Sequence, residues 1–460
     1  MFGRRAFTNE TFMSAVMEIK ESAMLGIGNP APILSAGPAS PEQAEAWEKF
    51  TALPMPVRTN EAWRFANVKD LDLSGYVQST PVDDATREEL LARSQGLAAV
   101  AGRMVFANDE LLAQETVADS LRQKGVIWLP LDQAAAEHPE LFRKHFMREE
   151  AILGGQKFAA LHASQVRAGT FLFVPRGVEI GLPIEAFHWL HGANSTVFPH
   201  TLIIAEEMAK VTVIDYYESA DADAPGLACG VNDLWLGQGA SVTYVCVQNW
   251  SRQAHTFQMN STVVGRDAQS KSLFAQLGGR HVRSESVSHL RGEGGRSDML
   301  AVTVADAAQE VDARTFQIHE VPNTQSDLLY KNSLDDTART IFAGLIRVDP
   351  GAHRTDAYQK VRNLLLSDEA EANSAPGLEI EADDVRCTHG ATCGQIEQEE
   401  LFYLLSRGIP RSEAQRLIVF GFLNEVFERL GNEPVQEKLR EFVRAKFAAH
   451  RGRPGEGDRL

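Results

Sequence analysis

A cysteine and a histidine separated by one residue are the pair in this sequence that is best suited to metal chemistry. Cys387 and His389 flank Thr388. On a β-strand, residues i and i+2 point to the same face, so the thiolate and the imidazole would face the same way. Both groups are ligands that zinc, iron and iron–sulfur clusters accept. Cys393 shares this parity unless a bulge intervenes, and Gly390 is the kind of residue at which bulges occur.

Two or three donors cannot complete a four-ligand site. If Cys387, His389 and Cys393 bind a metal or a cluster, the remaining ligands must come from a partner chain. The alternative is a buried structural cysteine beside a hydrogen-bonded histidine. Just upstream, residues 368–384 contain seven carboxylates and no Lys or Arg. This composition predicts a solvated acidic loop, with an iron-attracting rim as the functional alternative.

Several catalytic motifs are missing from the sequence. It has no Gly-Lys pair, and therefore no Walker A loop that could hold the phosphates of ATP. It also has no Gly-x-Ser-x-Gly, His-Glu-x-x-His, Cys-x-x-Cys or Gly-x-Gly-x-x-Gly. These absences argue against intrinsic ATP hydrolysis, zinc-protease chemistry and a dinucleotide cofactor.

Charge and composition exclude further classes of function. The 460 residues include 62 acidic and 45 basic ones, a net charge of −17 that argues against an extended nucleic-acid surface. The most apolar stretch, residues 417–423, is far shorter than the about 20 residues that cross a membrane. No apolar export signal follows Arg4 and Arg5, and four cysteines cannot cross-link a secreted fold. We therefore expect a cytoplasmic protein without a membrane segment.

The segment that would position Cys387 and His389 repeats a strand–turn–strand unit between about residues 156 and 394. Successive turns end roughly 30 residues apart, a period typical of stacked β architectures in which each rung packs on its neighbours. The sequence thus favours a mainly β fold with a parallel β-helix core, and a β-sandwich with evenly spaced loops is the alternative. The turns end at Gly177, Ala209, Ala240, Ala268, Gly295 and Ala352, with a weaker copy at residues 321–324.

Helical patterns flank this core. Residues 1–155 predict a mixed, mostly helical domain, with an amphipathic helix that includes Phe7, Phe12, Val16 and Ile19. A further helix is predicted from Asp109 to Gln123. Residues 395–450 predict three helices, and residues 451–460 a flexible tail.

Four blocks of the sequence resemble, in order, the SufB/SufD family, the scaffold subunits of the SUF iron–sulfur cluster assembly system. Residues 61–67 and 173–178 are similar as well, so the resemblance covers about residues 60 to 430. Within the family, the Cys-x-His block and residues 360–368 are similar to the SufD type, since SufB subunits lack this Cys-x-His. Cys393 departs from the family pattern, in which an apolar residue is more usual. The blocks are Thr-Ala-Arg-Thr-Ile-Phe-Ala-Gly-Leu-Ile-Arg-Val (337–348), Lys-Val-Arg-Asn-Leu-Leu-Leu-Ser-Asp (360–368), Asp-Asp-Val-Arg-Cys-Thr-His-Gly-Ala-Thr (383–392) and Leu-Phe-Tyr-Leu-Leu-Ser-Arg-Gly (401–408).

The resemblance implies a right-handed parallel β-helix between helical ends. It also implies a non-catalytic scaffold in a complex of one SufB, one SufD-type subunit and two copies of SufC, an ABC-type ATPase. Iron or a nascent cluster would be shared with SufB, with His389 and Cys387 as this chain's contribution and Cys393 as a further candidate. Sulfur would come from a cysteine desulfurase.

The C-terminal helical region is where the resemblance places the contact with SufC. Its helices carry more apolar residues than one helix face needs, so we expect these residues to divide between the local core and the partner surface. The alternatives are a SufB-type subunit that accepts sulfur and a metal-free β-helix interaction scaffold, and the chain could also pair with itself in isolation. The residues concerned are Phe402, Tyr403, Leu417, Ile418 and Phe422.

Overall fold

The computed structural model describes residues 41–451 and shows a mainly β protein, built as a parallel β-solenoid of about eight turns with helices at both ends. The predicted helix around Phe7 to Ile19, the Arg4-Arg5 pair and residues 452–460 of the predicted tail lie outside the described residues. None of the helices within 41–451 is long and apolar enough to span a bilayer.

The solenoid consists of two long sheets, and the chain alternates between them. The strands are β1 (Val77–Gln78), β2 (Gly102–Ala107), β3 (Glu110–Glu115), β4 (Ile127–Pro130), β5 (Gly169–Val174), β6 (Ile184–Leu190), β7 (Ser195–Val197), β8 (His200–Ala205), β9 (Lys210–Ser219), β10 (Gly226–Leu236), β11 (Ser241–Asn249), β12 (Ala254–Val264), β13 (Gln269–Gln276), β14 (His281–Leu290), β15 (Arg296–Ala305), β16 (Glu310–His319), β17 (Gln325–Leu334), β18 (Arg339–Val348), β19 (Asp356–Leu365), β20 (Glu371–Ile380) and β21 (Arg386–Gln395).

Sheet A has the order β20-β18-β16-β14-β12-β10-β8-β5-β4, with β7 and β1 beside β10. Sheet B has the order β21-β19-β17-β15-β13-β11-β9-β6-β2-β3. From β8 onward, each long strand pairs in parallel with the strand one turn earlier, for example β12 with β10 and β13 with β11. Parallel pairing of all these long strands confirms the predicted β-helix, because a β-sandwich is built from antiparallel strands.

The repeating turns connect sheet A to sheet B and explain the period of the sequence. One residue in each turn has a positive φ, a backbone conformation that Gly, Asn and Asp tolerate best. Six of these residues donate their N–H to a carbonyl in the turn of the next rung, over 2.7 to 2.9 Å. A fixed turn geometry is therefore stacked from rung to rung. The positive-φ residues are Gly177, Met208, Gly239, Asp267, Gly294, Asn323, Arg354 and Asp384.

Helices cover part of the outer face of each sheet. The helices are α1 (Pro41–Ala52), α2 (Asp84–Arg93), α3 (Asp119–Arg122), α4 (Leu131–Glu137), α5 (Pro139–His145), α6 (Gln156–Gln165), α7 (Gln398–Ser406), α8 (Arg411–Glu428) and α9 (Glu433–Arg451). On sheet A, Phe158 of α6 stacks on Phe257 with ring centroids 3.5 Å apart. On sheet B, Leu423 and Phe427 of α8 share one buried cluster with Leu329. The helical ends thus share their apolar cores with the solenoid.

Two local predictions were wrong. The predicted helix from Asp109 to Gln123 is mostly a hairpin, because Asn108 and Asp109 both take positive φ and turn β2 into the antiparallel strand β3. Only α3 remains helical there. The predicted acidic loop at 368–384 is also wrong, because residues Glu371–Ile380 form β20 and pair with β18 in sheet A.

Candidate functional site

The solenoid ends in a rung that nothing covers within residues 41–451. We call this rung, made of β20 and β21, the open end. Each of its strands pairs on one side only, β20 with β18 and β21 with β19, and most of its side chains are exposed or half-buried. An uncovered terminal rung with two unpaired strand edges is a natural surface for pairing with another chain.

The three metal-ligand candidates lie on the inward face of this rung. Cys387 is registered with Ala357, His389 with Gln359 and Cys393 with Asn363. All three partners on β19 are buried and belong to the interior face of the solenoid.

The ten pairs between β19 and β21 run without a break, so the strand passes through Gly390 without a bulge. The cysteine and histidine side chains therefore share one face, which would be the interior if another rung followed.

The environments of the two cysteines differ. Cys387 is half-buried beside Leu378 and Val385, whereas Cys393 and His389 are exposed. Burial raises the pKa of the Cys387 thiol; a hydrogen bond with the backbone of Ala357 acts in the opposite direction. Partial burial likewise raises the pKa of the Cys393 thiol. Both side chains are consequently thiols near neutral pH, and they become thiolates when a metal displaces the proton.

Within 41–451, no group of three or more His, Cys, Asp or Glu side chains is arranged to hold a metal ion. β21 thus places two thiols and one imidazole on the same face of one strand, which by themselves are too few to complete a four-ligand site. Because Cys393 is exposed, side-chain packing does not explain why a cysteine occupies this position.

The apolar candidates in the C-terminal helices separate into two groups. Phe402, Tyr403 and Leu417 are exposed by 71%, 56% and 50%, and we call these three residues the helical patch. Ile418 and Phe422 are half-buried against the cluster under sheet B. Exposure thus separates three surface residues from two that belong to the local core.

Sequence reasoning missed two apolar residues of the open end, the half-buried Leu378 and the exposed Ile380. Leu378 and Ile380 lie on β20 at positions registered with the buried Ile346 and Val348 of β18, so they also face inward. Apolar residues at alternate positions are typical of a strand with one buried face, but the many carboxylates around them made the segment resemble a loop.

Comparison with known proteins agrees with this architecture. Residues 188–422 match the family described as SUF system FeS cluster assembly, SufBD core domain, and residues 40–186 match the SufBD protein N-terminal region. The iron-sulfur cluster assembly protein SufD of Bacillus subtilis (strain 168) is 31% identical over 410 residues, which cover 87% of this chain and 92% of that protein.

SufBD family proteins of staphylococci are similar as well. Iron-sulfur cluster assembly SufBD family proteins of Staphylococcus epidermidis (strain ATCC 12228) and Staphylococcus aureus (strain MRSA252) are each 29% identical over 320 residues, 70% of this chain and 69% of theirs. The resemblance seen in the four sequence blocks is confirmed. The chain therefore belongs to the SufB/SufD family of the SUF iron–sulfur cluster assembly system, in which it is a SufD homologue.

Proposed function

We propose that this chain is the SufD-type subunit of a SUF scaffold complex and that its open end forms half of the site where a nascent cluster is built. The observation that carries the proposal is the position of His389 and Cys387. They are held on the inward face of a strand, yet no further rung covers them within the described residues. His389 is the main donor and Cys387 supports it, while Cys393 is available as a third.

The second half of the site would come from SufB. The unpaired edges of β20 and β21 can form main-chain hydrogen bonds with strands of a partner, and the inward-facing Leu378 and Ile380 can then be buried. Docking of SufB at this end would bring its ligands opposite His389 and Cys387. Iron and sulfide are the cargo of this site, with sulfur delivered by a cysteine desulfurase, in the cytoplasm.

The helical patch is the surface we assign to SufC. Phe402, Tyr403 and Leu417 offer the exposed aromatic and aliphatic side chains that anchor protein interfaces. ATP hydrolysis would take place in SufC, and this chain would serve as a non-catalytic scaffold. The alternatives are a SufB-type role in accepting sulfur and a metal-free interaction scaffold that pairs with SufB or with itself.

The test is anaerobic reconstitution with Fe²⁺ and sulfide, on the chain alone and on the complex with SufB and SufC. We expect a cluster in the complex and little in the chain alone. His389→Ala, and more so His389→Ala with Cys387→Ser, should assemble normally but lose most of the cluster absorbance. Thr388→Ala is the matched control, because this exposed side chain lies on the opposite face of β21. Full cluster content in the His389→Ala complex would instead establish a metal-free scaffold.

A further inference from the structure

A buried amide directly beneath His389 has an unused hydrogen-bond acceptor. Gln359 lies on β19, is fully buried and is registered with His389. Its Nε2 donates to Thr315 Oγ1 over 3.4 Å, across the interior of the solenoid. Its Oε1 has no hydrogen-bond partner among the described residues. Buried carbonyl oxygens are almost always paired, so this one requires an explanation.

A glycine on the facing strand leaves the space that the Gln359 amide occupies. Gly344 lies on β18 in sheet A, opposite Gln359, and a Cβ at this position would overlap the Gln359 amide nitrogen. It would also lie 2.7 Å from Thr315 Oγ1 and 2.6 Å from the ring of Phe342. The absence of a side chain at Gly344 thus lets the amide reach Thr315. Gly344 belongs to the block at 337–348, to which the proposed function assigns no role.

Asn363, the residue registered with Cys393, differs from Gln359 in that its amide is fully hydrogen-bonded. Asn363 accepts a hydrogen bond from Asn332 Nδ2 over 2.8 Å. Its own Nδ2 donates to Ser374 Oγ over 3.3 Å and to the carbonyl of Thr392 over 3.1 Å. Both the oxygen and the nitrogen of the Asn363 amide therefore have hydrogen-bond partners. Gln359, in contrast, has an amide oxygen without a partner and is registered with the exposed His389.

We propose that Gln359 is a positioning residue for His389, with its Oε1 accepting a hydrogen bond from one ring N–H. Adjacent strands lie about 4.8 Å apart, so registered side chains on the same face are in reach of each other. Fixing the proton on the inner nitrogen leaves the other nitrogen unprotonated and facing the open end, where it can bind a soft cation such as Fe²⁺. Such partners of a ligating histidine set its tautomer and its basicity. This inference rests on the proposed function of His389.

The experiment uses the apo complex with SufB and SufC and Co²⁺ as a spectroscopic probe of the site. Gln359→Met removes the acceptor at similar volume, Gln359→Glu keeps an acceptor, and Gly344→Ala displaces the amide. We expect Gln359→Met and Gly344→Ala to weaken Co²⁺ binding about 10- to 100-fold, and Gln359→Glu to restore most of it. Gly377→Ala on β20 is the matched control, since its Cβ would meet the Leu345 side chain at 3.3 Å and the Gly344 carbonyl oxygen at 3.7 Å and would not touch the Gln359 amide.

A second measurement separates positioning from a general effect on folding. In the full-length chain with ¹⁵N-labelled histidine, His389 should populate one tautomer, and Gln359→Met should produce a mixture while the thermal midpoint stays within a few degrees. If Gln359→Met leaves both the tautomer and Co²⁺ affinity unchanged while His389→Ala abolishes binding, the inference about Gln359 is overturned and the proposed function stands. If His389→Ala itself leaves Co²⁺ affinity unchanged, the proposed function fails first, and the role of Gln359 with it.

Discussion

The attachment of the N-terminal helical region to sheet A should depend on one buried arginine, Arg283. Its guanidinium contacts Glu285 Oε1 at 2.8 Å and also pairs with Asp312. It donates to the carbonyls of Ala62 and Leu153 over 2.9 and 2.8 Å, and it lies 4.2 Å from the ring centroid of Trp63. The arginine therefore connects β14 to the segment at 61–67, one of the family-like blocks.

The perturbation is Arg283→Met, which keeps much of the side-chain volume and removes the charge and five donors. Breaking a buried ion pair costs about 3 to 5 kcal/mol. In the variant, the Glu285 carboxylate would still accept a hydrogen bond from the N–H of Gly155, and the Asp312 carboxylate would still pair with Arg314. Because neither carboxylate is left without a partner, we use the lower part of that range. Each of the two lost backbone acceptors adds about 1 kcal/mol. We expect the free energy of unfolding of this region to fall by about 5 to 6 kcal/mol.

Hydrogen exchange at residues 60–70 measures this directly, because those amides report the opening of the N-terminal region without unfolding of the whole solenoid. Arg252→Met is the matched control. Arg252 also pairs with a carboxylate, that of Asp223 at 2.6 Å, but the two side chains are 31% and 61% exposed. Such exposed pairs are worth under about 1 kcal/mol. Equal loss of protection in both variants, or none in Arg283→Met, would refute the reasoning.

Three further predictions concern the turns, the helical patch and a buried carboxyl group. Gly239 has φ +65° and a Cβ there would lie 2.5 Å from Met208 Sδ, so Gly239→Ala should lower the free energy of unfolding by about 1 to 2 kcal/mol in denaturant titrations. As the contrasting control, Gly421→Ala in α8, whose added Cβ would have nothing within 4 Å, should raise the free energy of unfolding by up to about 1 kcal/mol. Replacing Phe402 and Leu417 by Ser should abolish co-purification with SufC without lowering the thermal midpoint, and retained SufC would contradict the assigned surface. Burial raises the pKa of Asp233 to about 7, above its unfolded value of about 4, so the stability that its protonated form contributes is fully present below about pH 4 and is lost as the pH rises to about 7. At about 1.4 kcal/mol per pH unit, Asp233→Asn should therefore gain about 3 kcal/mol relative to wild type between pH 5 and pH 8, most of it below pH 7, and a gain independent of pH would show that this carboxyl does not titrate there.

The β-helix could be predicted because its turns constrain the sequence more than its strands do. A positive φ recurs at each turn between sheet A and sheet B, and Gly239, Asp267 and Asn323 are residues that tolerate it. The period near 30 residues was therefore visible without knowing any strand pairing. The turns on the opposite edge did not contribute to this period.

The open end was harder to predict for a physical reason. In the inner rungs nearly every side chain of a strand is buried, as in β16, where all ten residues are. In β20 most side chains keep contact with solvent, so carboxylates such as Glu371 and Glu379 are tolerated there and the segment looked like a loop. Cys387 and His389 were found only because two ligand types at i and i+2 are informative without any burial pattern. Gln359 has no comparable signal, because its significance depends on which residue lies above it.

The geometry of a solenoid explains why a site of this kind would be placed on its last rung. In every inner rung, inward-facing side chains are positioned accurately by the sheet but are buried by the next rung. On parts of the outer faces, helices cover the strands. At the open end, inward-facing residues such as His389 are both fixed by a paired strand and left accessible by the rest of residues 41–451. A ligand set built there is incomplete until another chain docks against the rung, so cluster assembly would be coupled to formation of the complex.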